Sequence, residues 1–327
     1  MRIVSIDFFR FLFMTQVCLW HLSSCMGIMK HGYIAVEFFF ILSGYLLYKS
    51  STKEKALGVF EYTWDKIQRF YPEVLIVTLP ATIVYFVGYG PNLIPLFNSI
   101  FFLQNTGIYS GGGVNLSLWY LNVLLLGGGI VYAIIHNNRH LALTVVFPLI
   151  ILFVYTYILK VNNGSLELFG TKLCFYIPLW RGIAGISLGC LLARLYEIKL
   201  KNPVQGMTRI LDVLSLMSIV GSFVIVFATN HGDSYALFFY SIIILSCFTS
   251  GTFVNRLLNH SIWSYLGKLS FEMLLVHMPI AQVFLKVYSM WKIPVFVFVI
   301  SYVLFVLLSS ILLKGLNEKL SNTAIKH

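Results

Sequence analysis

Asp7, Arg10 and His21 are the residues of this chain whose types and spacing first suggest chemistry, because they fall at helical intervals inside an apolar stretch that otherwise excludes charge. At about 100° per residue, Asp7, Arg10, Met14, Val17 and His21 lie along one stripe. Charge inside a bilayer is costly and marks functional positions. Arg10 and His21 would stand about 16 Å apart along the helix at ~1.5 Å per residue. That suits a helix lining a passage between two sides. The alternative is an Asp7–Arg10 pair at i, i+3 that anchors the helix end, with His21 as a hydrogen-bonded packing residue.

Further candidates follow along the chain. The segment from Ala35 to Leu46 holds Glu37, three consecutive phenylalanines and the small pair Ser43–Gly44; small residues let another backbone approach closely. Glu37 shares a helix face with Gly44, seven residues on. Lys66 and Arg69 precede Pro72, a residue suited to the first turn of a helix, so two cations beside a helix N-terminus form either a phosphate site or an ordinary basic anchor. Arg181 and His277 are each expected about eight residues into a span and hence at mid-membrane, where Arg181 needs a partner or water. His277 has three readings: acid/base group, hydrogen-bond donor to substrate, or packing residue. Ser270 shares its face and reads as support, whereas Glu272, five positions away, points elsewhere.

The elements that must position these residues are membrane helices. Hydrophobic residues make up 58% of the 327 and charged residues only 11%, and the mean hydropathy is +0.84. Windows of about 20 residues give ten candidate spans, near 7–29, 34–49, 71–88, 116–136, 141–159, 173–194, 209–229, 235–254, 269–286 and 293–313. With the N-terminus inside, the inner side collects Arg2, the cluster Lys49 to Arg69, Arg139, the group Arg194 to Arg209, Arg256, Lys268, Lys314, Lys319 and Lys326. The outer side holds only Lys30, Lys160, Lys172, Lys286 and Lys292. This bias places both termini in the cytoplasm.

The net charge of +11 is explained by basic loops facing anionic lipid, so nucleic acid is not an expected partner. Cys18, Cys25, Cys174, Cys190 and Cys247 fall in apolar segments without paired spacing. They suggest neither a disulfide framework nor a zinc site. The first apolar segment has charges and no small-residue cleavage site, so it is expected to stay as a helix rather than leave as a signal peptide. The expected architecture is an all-α, polytopic membrane protein, one integral-membrane domain over 1–327 with no appended soluble domain.

Taken together, these segments resemble acyltransferase family 3, the multispanning bacterial enzymes that O-acetylate surface polysaccharides, lipopolysaccharide and peptidoglycan. The family's opening Asp, Arg and His appear as Asp7, Arg10 and His21; its second-helix phrase appears as Ala35 to Gly44; its basic motif before an aromatic-Pro step appears as Lys66, Arg69, Tyr71 and Pro72. Leu266-Gly267-Lys268-Leu269-Ser270 and His277-Met278-Pro279 match its C-terminal motifs. This chain departs from the family in having Lys66 for a frequent Arg, Ala35 for a usual Gly, and Leu124 where many members place Glu five residues after Trp119, with Asn122 the polar residue nearby.

The resemblance implies an O-acyltransferase of a bacterial cytoplasmic (inner) membrane, with no bound cofactor. It would use cytoplasmic acyl-CoA, chiefly acetyl-CoA, as co-substrate and the hydroxyl of a surface polysaccharide or lipid-linked glycan as acceptor. His21 would be the base, Arg10 would hold CoA phosphates or an oxyanion, and Glu37 would orient His21 or balance its charge. Arg69, Lys66, Asp7, Arg181, His277, Trp119 and Ser43 complete the candidate substrate site. Transfer through an acyl-histidine and direct transfer both remain open. The competing reading is a transporter or flippase for a glycolipid or small anion, and a third is a structural membrane subunit.

Overall fold

The computed structural model describes residues 3–23, 27, 29–104, 112–167, 171–172, 175–227, 232–291 and 293–324. Arg2, Cys25, Cys174, Lys292 and Lys326, all used in the sequence reading, lie outside the described residues. Among those described, each of the ten apolar segments overlaps one long helix. These are α1 (Val4–Trp20), α2 (Ala35–Ser51), α3 (Val59–Tyr89), α5 (Trp119–Asn137), α6 (Phe147–Val161), α7 (Ile177–Leu195), α8 (Gln205–Phe227), α9 (Asp233–Phe248), α12 (Ser270–Trp291) and α13 (Val295–Ala324). Short helices α4 (Ile94–Ile100), α10 (Phe253–Leu257) and α11 (Ser261–Lys268) fill connections. The extended pairing among the described residues is a two-residue antiparallel ladder, β1 (Thr171–Lys172) with β2 (Phe175–Tyr176), in the register Thr171 to Tyr176.

Local sequence sets several of the helix ends. Pro148 and Pro178 occupy the first turns of α6 and α7, where a missing N–H leaves no bond unmade. Asn115 accepts from Ser117 N in the turn that leads into α5, and Asn138 accepts from Leu141 N at 3.0 Å at the turn before α6. Such side chains satisfy donors that a helix start leaves free. Gly90, at φ +87°, ends α3 in a conformation that favours glycine.

Among the described residues, seven helical segments are long and apolar enough to cross a membrane: Gly32–Ser51, Val59–Tyr89, Leu116–Asn137, Arg139–Val161, Gly206–Phe227, Ser270–Trp291 and Val295–Leu320. The remaining three spans of the sequence reading are α1 and α9, of 17 and 16 residues, and α7, which carries Arg181 and Arg194. α7 packs against α2, α5 and α6. Its polar content therefore meets protein rather than lipid, where it would be most costly. The chain is an all-α polytopic membrane protein.

Three expectations change. α1 ends at Trp20 with His21 as its C-cap, short of the expected end at residue 29, and Gly32 seats beneath Trp20 so closely that any side chain at 32 would collide with it. α3 begins at Val59, so the connection from α2 is only 52–58, and Pro72 lies inside the helix rather than in its first turn. The amphipathic stretch Val59–Phe70 continues the apolar span, which removes the helix N-terminus proposed beside Lys66 and Arg69. Arg181 sits in the second turn of α7 and hence nearer one end than expected.

The α2–α7 contact is unusually close. A Cβ at Gly44 would collide with the Ile186 carbonyl, and one at Gly189 with the Ile41 carbonyl. In lipid, helix pairs gain little from the hydrophobic effect, so close van der Waals contact between small residues supplies the attraction. Gly189→Leu should therefore remove the monodisperse folded peak of detergent-solubilised protein in size-exclusion chromatography. Gly128→Ala, at a position with open space, should leave that peak unchanged.

Candidate active site

A cavity of about 860 Å³ is lined along α1 from Ile6 to His21, about 22 Å of helix axis at ~1.5 Å per residue. The predicted stripe is real for Arg10, Met14, Val17 and His21, all of which line it. At the end where α1 begins, the wall holds Arg69, Glu73, Lys268, Ser270 and Glu272, with Arg69 and Lys268 exposed. Ser43, Trp119 and Tyr120 line its flank, His21 and His277 lie further along, and Tyr33, Glu167 and Arg181 border the far end. Glu167 is exposed there, so the cavity reaches accessible residues at both ends of the bundle.

Asp7 is buried and lies 3.7 Å from Arg10 as an i, i+3 pair. Its backbone meets Gly267, where any Cβ would clash, so the Leu-Gly-Lys-Leu-Ser segment uses its glycine to bring α11 against α1. Asp7 stands behind Arg10 rather than in the cavity wall. Lys66 also stays out of the wall, with its Nζ 5.5 Å from the centre of the Tyr62 ring. Arg10, Arg69 and Lys268 supply the cations at this end.

His277 is 1% exposed. Its Nδ1 lies 3.0 Å from Met273 O and 2.9 Å from Leu274 O. Its ring centre is 5.2 Å from that of His21. Two residues on, Pro279 cannot donate to the Leu275 carbonyl, and Asn115 Nδ2 does so instead at 2.7 Å. Tyr302 OH donates to His277 O at 3.2 Å. The segment that presents His277 is thus tied down from two neighbouring elements.

Glu37 does not orient His21. Its carboxylate is fully buried and accepts from Arg181 Nε and from Tyr155 OH, the latter at 2.6 Å. The first turn of α2 faces α6 and α7, so the carboxylate neutralises Arg181 instead. Arg181 is 2% exposed and lines the cavity, and its Nη2 has no hydrogen-bond partner among the described residues. The far end is organised by Asp233, whose carboxylate accepts from Tyr33 OH at 2.6 Å, Leu166 N at 2.7 Å and His31 Nδ1 at 2.8 Å. This clasp fixes the two backbone segments that carry Tyr33 and Glu167.

Of the residues singled out from sequence, Arg10, His21, Ser43, Arg69, Trp119, Arg181 and His277 share the cavity wall, whereas Asp7, Glu37 and Lys66 do not. Sequence reasoning passed over Glu73 and set Glu272 aside, and both line the cavity. Asn317 Nδ2 donates to Glu73 Oε1 at 2.5 Å, and Lys314 Nζ lies 3.4 Å from Glu272 Oε1. The signal was available: each is a carboxylate inside an apolar span, the feature that drew attention to Asp7. Glu272 and His277 point in different directions on α12, but the cavity is long enough to touch both. Asn122, buried, donates to Gln104 O at 2.6 Å; Leu124 lines the cavity in its place.

A family model described as an acyltransferase domain matches residues 3–314, nearly the whole chain. No curated protein and no solved structure matches it.

The Glu37–Arg181 pair gives a test of the site's framework. Losing one partner of a buried pair leaves an uncompensated charge and costs about 3–5 kcal/mol, whereas replacing both with apolar residues of similar volume is often neutral. Glu37→Gln should therefore lower the thermal unfolding midpoint in detergent. The double variant Glu37→Gln/Arg181→Met should recover part of that loss, and a further drop would contradict the pairing.

Proposed function

The chain belongs to acyltransferase family 3, and from that premise we propose that this membrane acyltransferase moves an acetyl group from cytoplasmic acetyl-CoA to a carbohydrate hydroxyl of a surface or lipid-linked glycan at a bacterial inner membrane. The observation that supports this most is the continuous cavity. It joins an exposed cationic end, at Arg69 and Lys268, to a pair of imidazoles and then to a polar far end at Tyr33, Glu167 and Arg181. Guanidinium and ammonium groups suit phosphates. The donor's nucleotide end would bind at the cationic mouth and its thioester arm would reach along the cavity. The basic end is the cytoplasmic side in this proposal, in keeping with the loop charge bias.

Distance divides the labour between Arg10 and His21. They stand about 16 Å apart along α1, too far for one guanidinium to hold an oxyanion forming beside the imidazole. Arg10 therefore serves the donor, and His21 serves the reacting centre. An alcohol is a poor nucleophile at neutral pH, and an imidazole can take its proton as it attacks the thioester carbonyl. Arg181, with an unpartnered N–H group, is suited to the acceptor's oxygens. An open passage also suits a flippase; paired imidazoles in its wall are better suited to proton transfer during acyl exchange.

Membranes containing the protein should pass label from acetyl-CoA to glycan. His21→Ala should lower kcat by about 10²–10⁴-fold, the usual contribution of a general base, while Arg10→Ala should act mainly on the KM for the donor. Full acetylation by well-expressed His21→Ala would remove that residue from the mechanism, and glycan movement without acetylation would favour the flippase. For the orientation, a cysteine introduced at Lys53, in the connection 52–58, should resist an impermeant thiol reagent added to intact cells. Ready labelling there would reverse the topology.

A further inference from the structure

We propose that His277 is a positioning residue that fixes the tautomer of His21, so that the two imidazoles work as a dyad in which only His21 meets substrate. This rests on the acyl-transfer reading above. His277 Nδ1 faces two backbone carbonyls, Met273 O and Leu274 O. Carbonyls only accept, so Nδ1 carries the proton of the neutral ring and Nε2 carries the lone pair. The α12 backbone thereby sets the tautomer of His277.

Nε2 of His277 is buried and has no hydrogen-bond partner among the described residues. An acceptor left in that state is destabilising, and one donor would satisfy it. The ring next to it is His21, with centres 5.2 Å apart and planes inclined by 40°. Rotation of His21 about its side-chain bonds can turn a ring N–H onto that lone pair. The other nitrogen of His21 is then the acceptor. Both rings border the cavity, and exposure decides which acts on substrate: His277 is 1% exposed, whereas His21 is only partly buried.

The hydroxyl proton passes to the free nitrogen of His21 as the new C–O bond forms. The C–S bond then breaks, and His21 returns the proton to the departing thiolate. While His21 is an imidazolium, its N–H to His277 Nε2 is a charge-assisted hydrogen bond, stronger than a neutral one. His277 keeps its own proton and remains uncharged throughout, so two positive rings never face each other.

Two substitutions separate positioning from packing. His277→Asn keeps an amide N–H near the Nδ1 position for the backbone carbonyls and lacks the far nitrogen. His277→Gln reaches further and can present a carbonyl oxygen near the Nε2 position. The Asn variant should lose about 10–100-fold in kcat, the scale seen when a supporting partner of a site residue is removed, with donor KM unchanged. The Gln variant should regain much of that loss, and His277→Asn should add little once His21 is already Ala. Independently of turnover, ¹⁵N-histidine NMR of the protein in nanodiscs should show His21 in one tautomer, becoming mixed in His277→Asn. Wild-type kcat in the Asn variant, multiplicative losses in the double variant, or a mixed His21 tautomer in the wild type would each overturn the dyad. If the wild-type protein transfers no acyl group yet the tautomer effect appears, the dyad stands and the acyl-transfer reading fails.

Discussion

The contact between α2 and α7 is the constraint on which the site depends. Gly44 and Gly189 let the two backbones meet with no room for a side chain at either position, and Glu37 and Arg181 pair across the same interface. The attraction comes from the glycine contact, because a buried ion pair is weak evidence for stability on its own. What the pair contributes is register. If α7 slid by a turn, it would strand two charges in a low-dielectric interior. With register fixed, Val36, Phe39, Ser43 and Leu46 of α2 face the cavity, and Arg181 is held at its far end.

The cavity itself is costly to maintain. Glu73 Oε2, Glu272 Oε2, Arg181 Nη2 and His277 Nε2 are buried without hydrogen-bond partners among the described residues, and all four side chains border the cavity. A helix bundle selected only to hold its parts together gains nothing from such groups, each of which costs about 1–3 kcal/mol unmet. Partnerless buried atoms occur off the cavity as well, at Asn98 Nδ2 and Ser187 Oγ for instance, so what distinguishes these four is that they border one passage. That placement suits a site that keeps polar groups available to a bound molecule or, at His277, to the neighbouring ring of His21.

Behind the cavity wall, second partners hold the residues that face it. Asp7 stands behind Arg10, Lys314 behind Glu272, Asn317 behind Glu73, and Glu37 behind Arg181. At the far end, Asp233 plays the same part for Tyr33 and for the backbone that carries Glu167. Long, flexible cations and loop residues lose their freedom in this way before any ligand arrives, which reduces the ordering cost of binding.

The helices were legible because bilayer-length apolar segments and helical periodicity are local properties of the chain. The stripe Arg10, Met14, Val17 and His21 was legible for the same reason, since spacing within one helix fixes which residues share a face. Glu37 was recognised as a residue of consequence, yet its partner was not, because Arg181 and Tyr155 lie more than a hundred residues away and only packing brings them to it. The start of α3 was missed where an amphipathic lead-in continues an apolar span through Pro72. Glu73, Lys268 and Glu272 were not grouped, since nothing in the sequence says that α3 and α12 border the same space. Sequence by itself therefore determined that this is a membrane bundle and which side chains share a helix face. Tertiary structure alone decided which faces meet, which charge neutralises which, and that His21 and His277 stand side by side, because those outcomes depend on distances between segments that no local periodicity encodes.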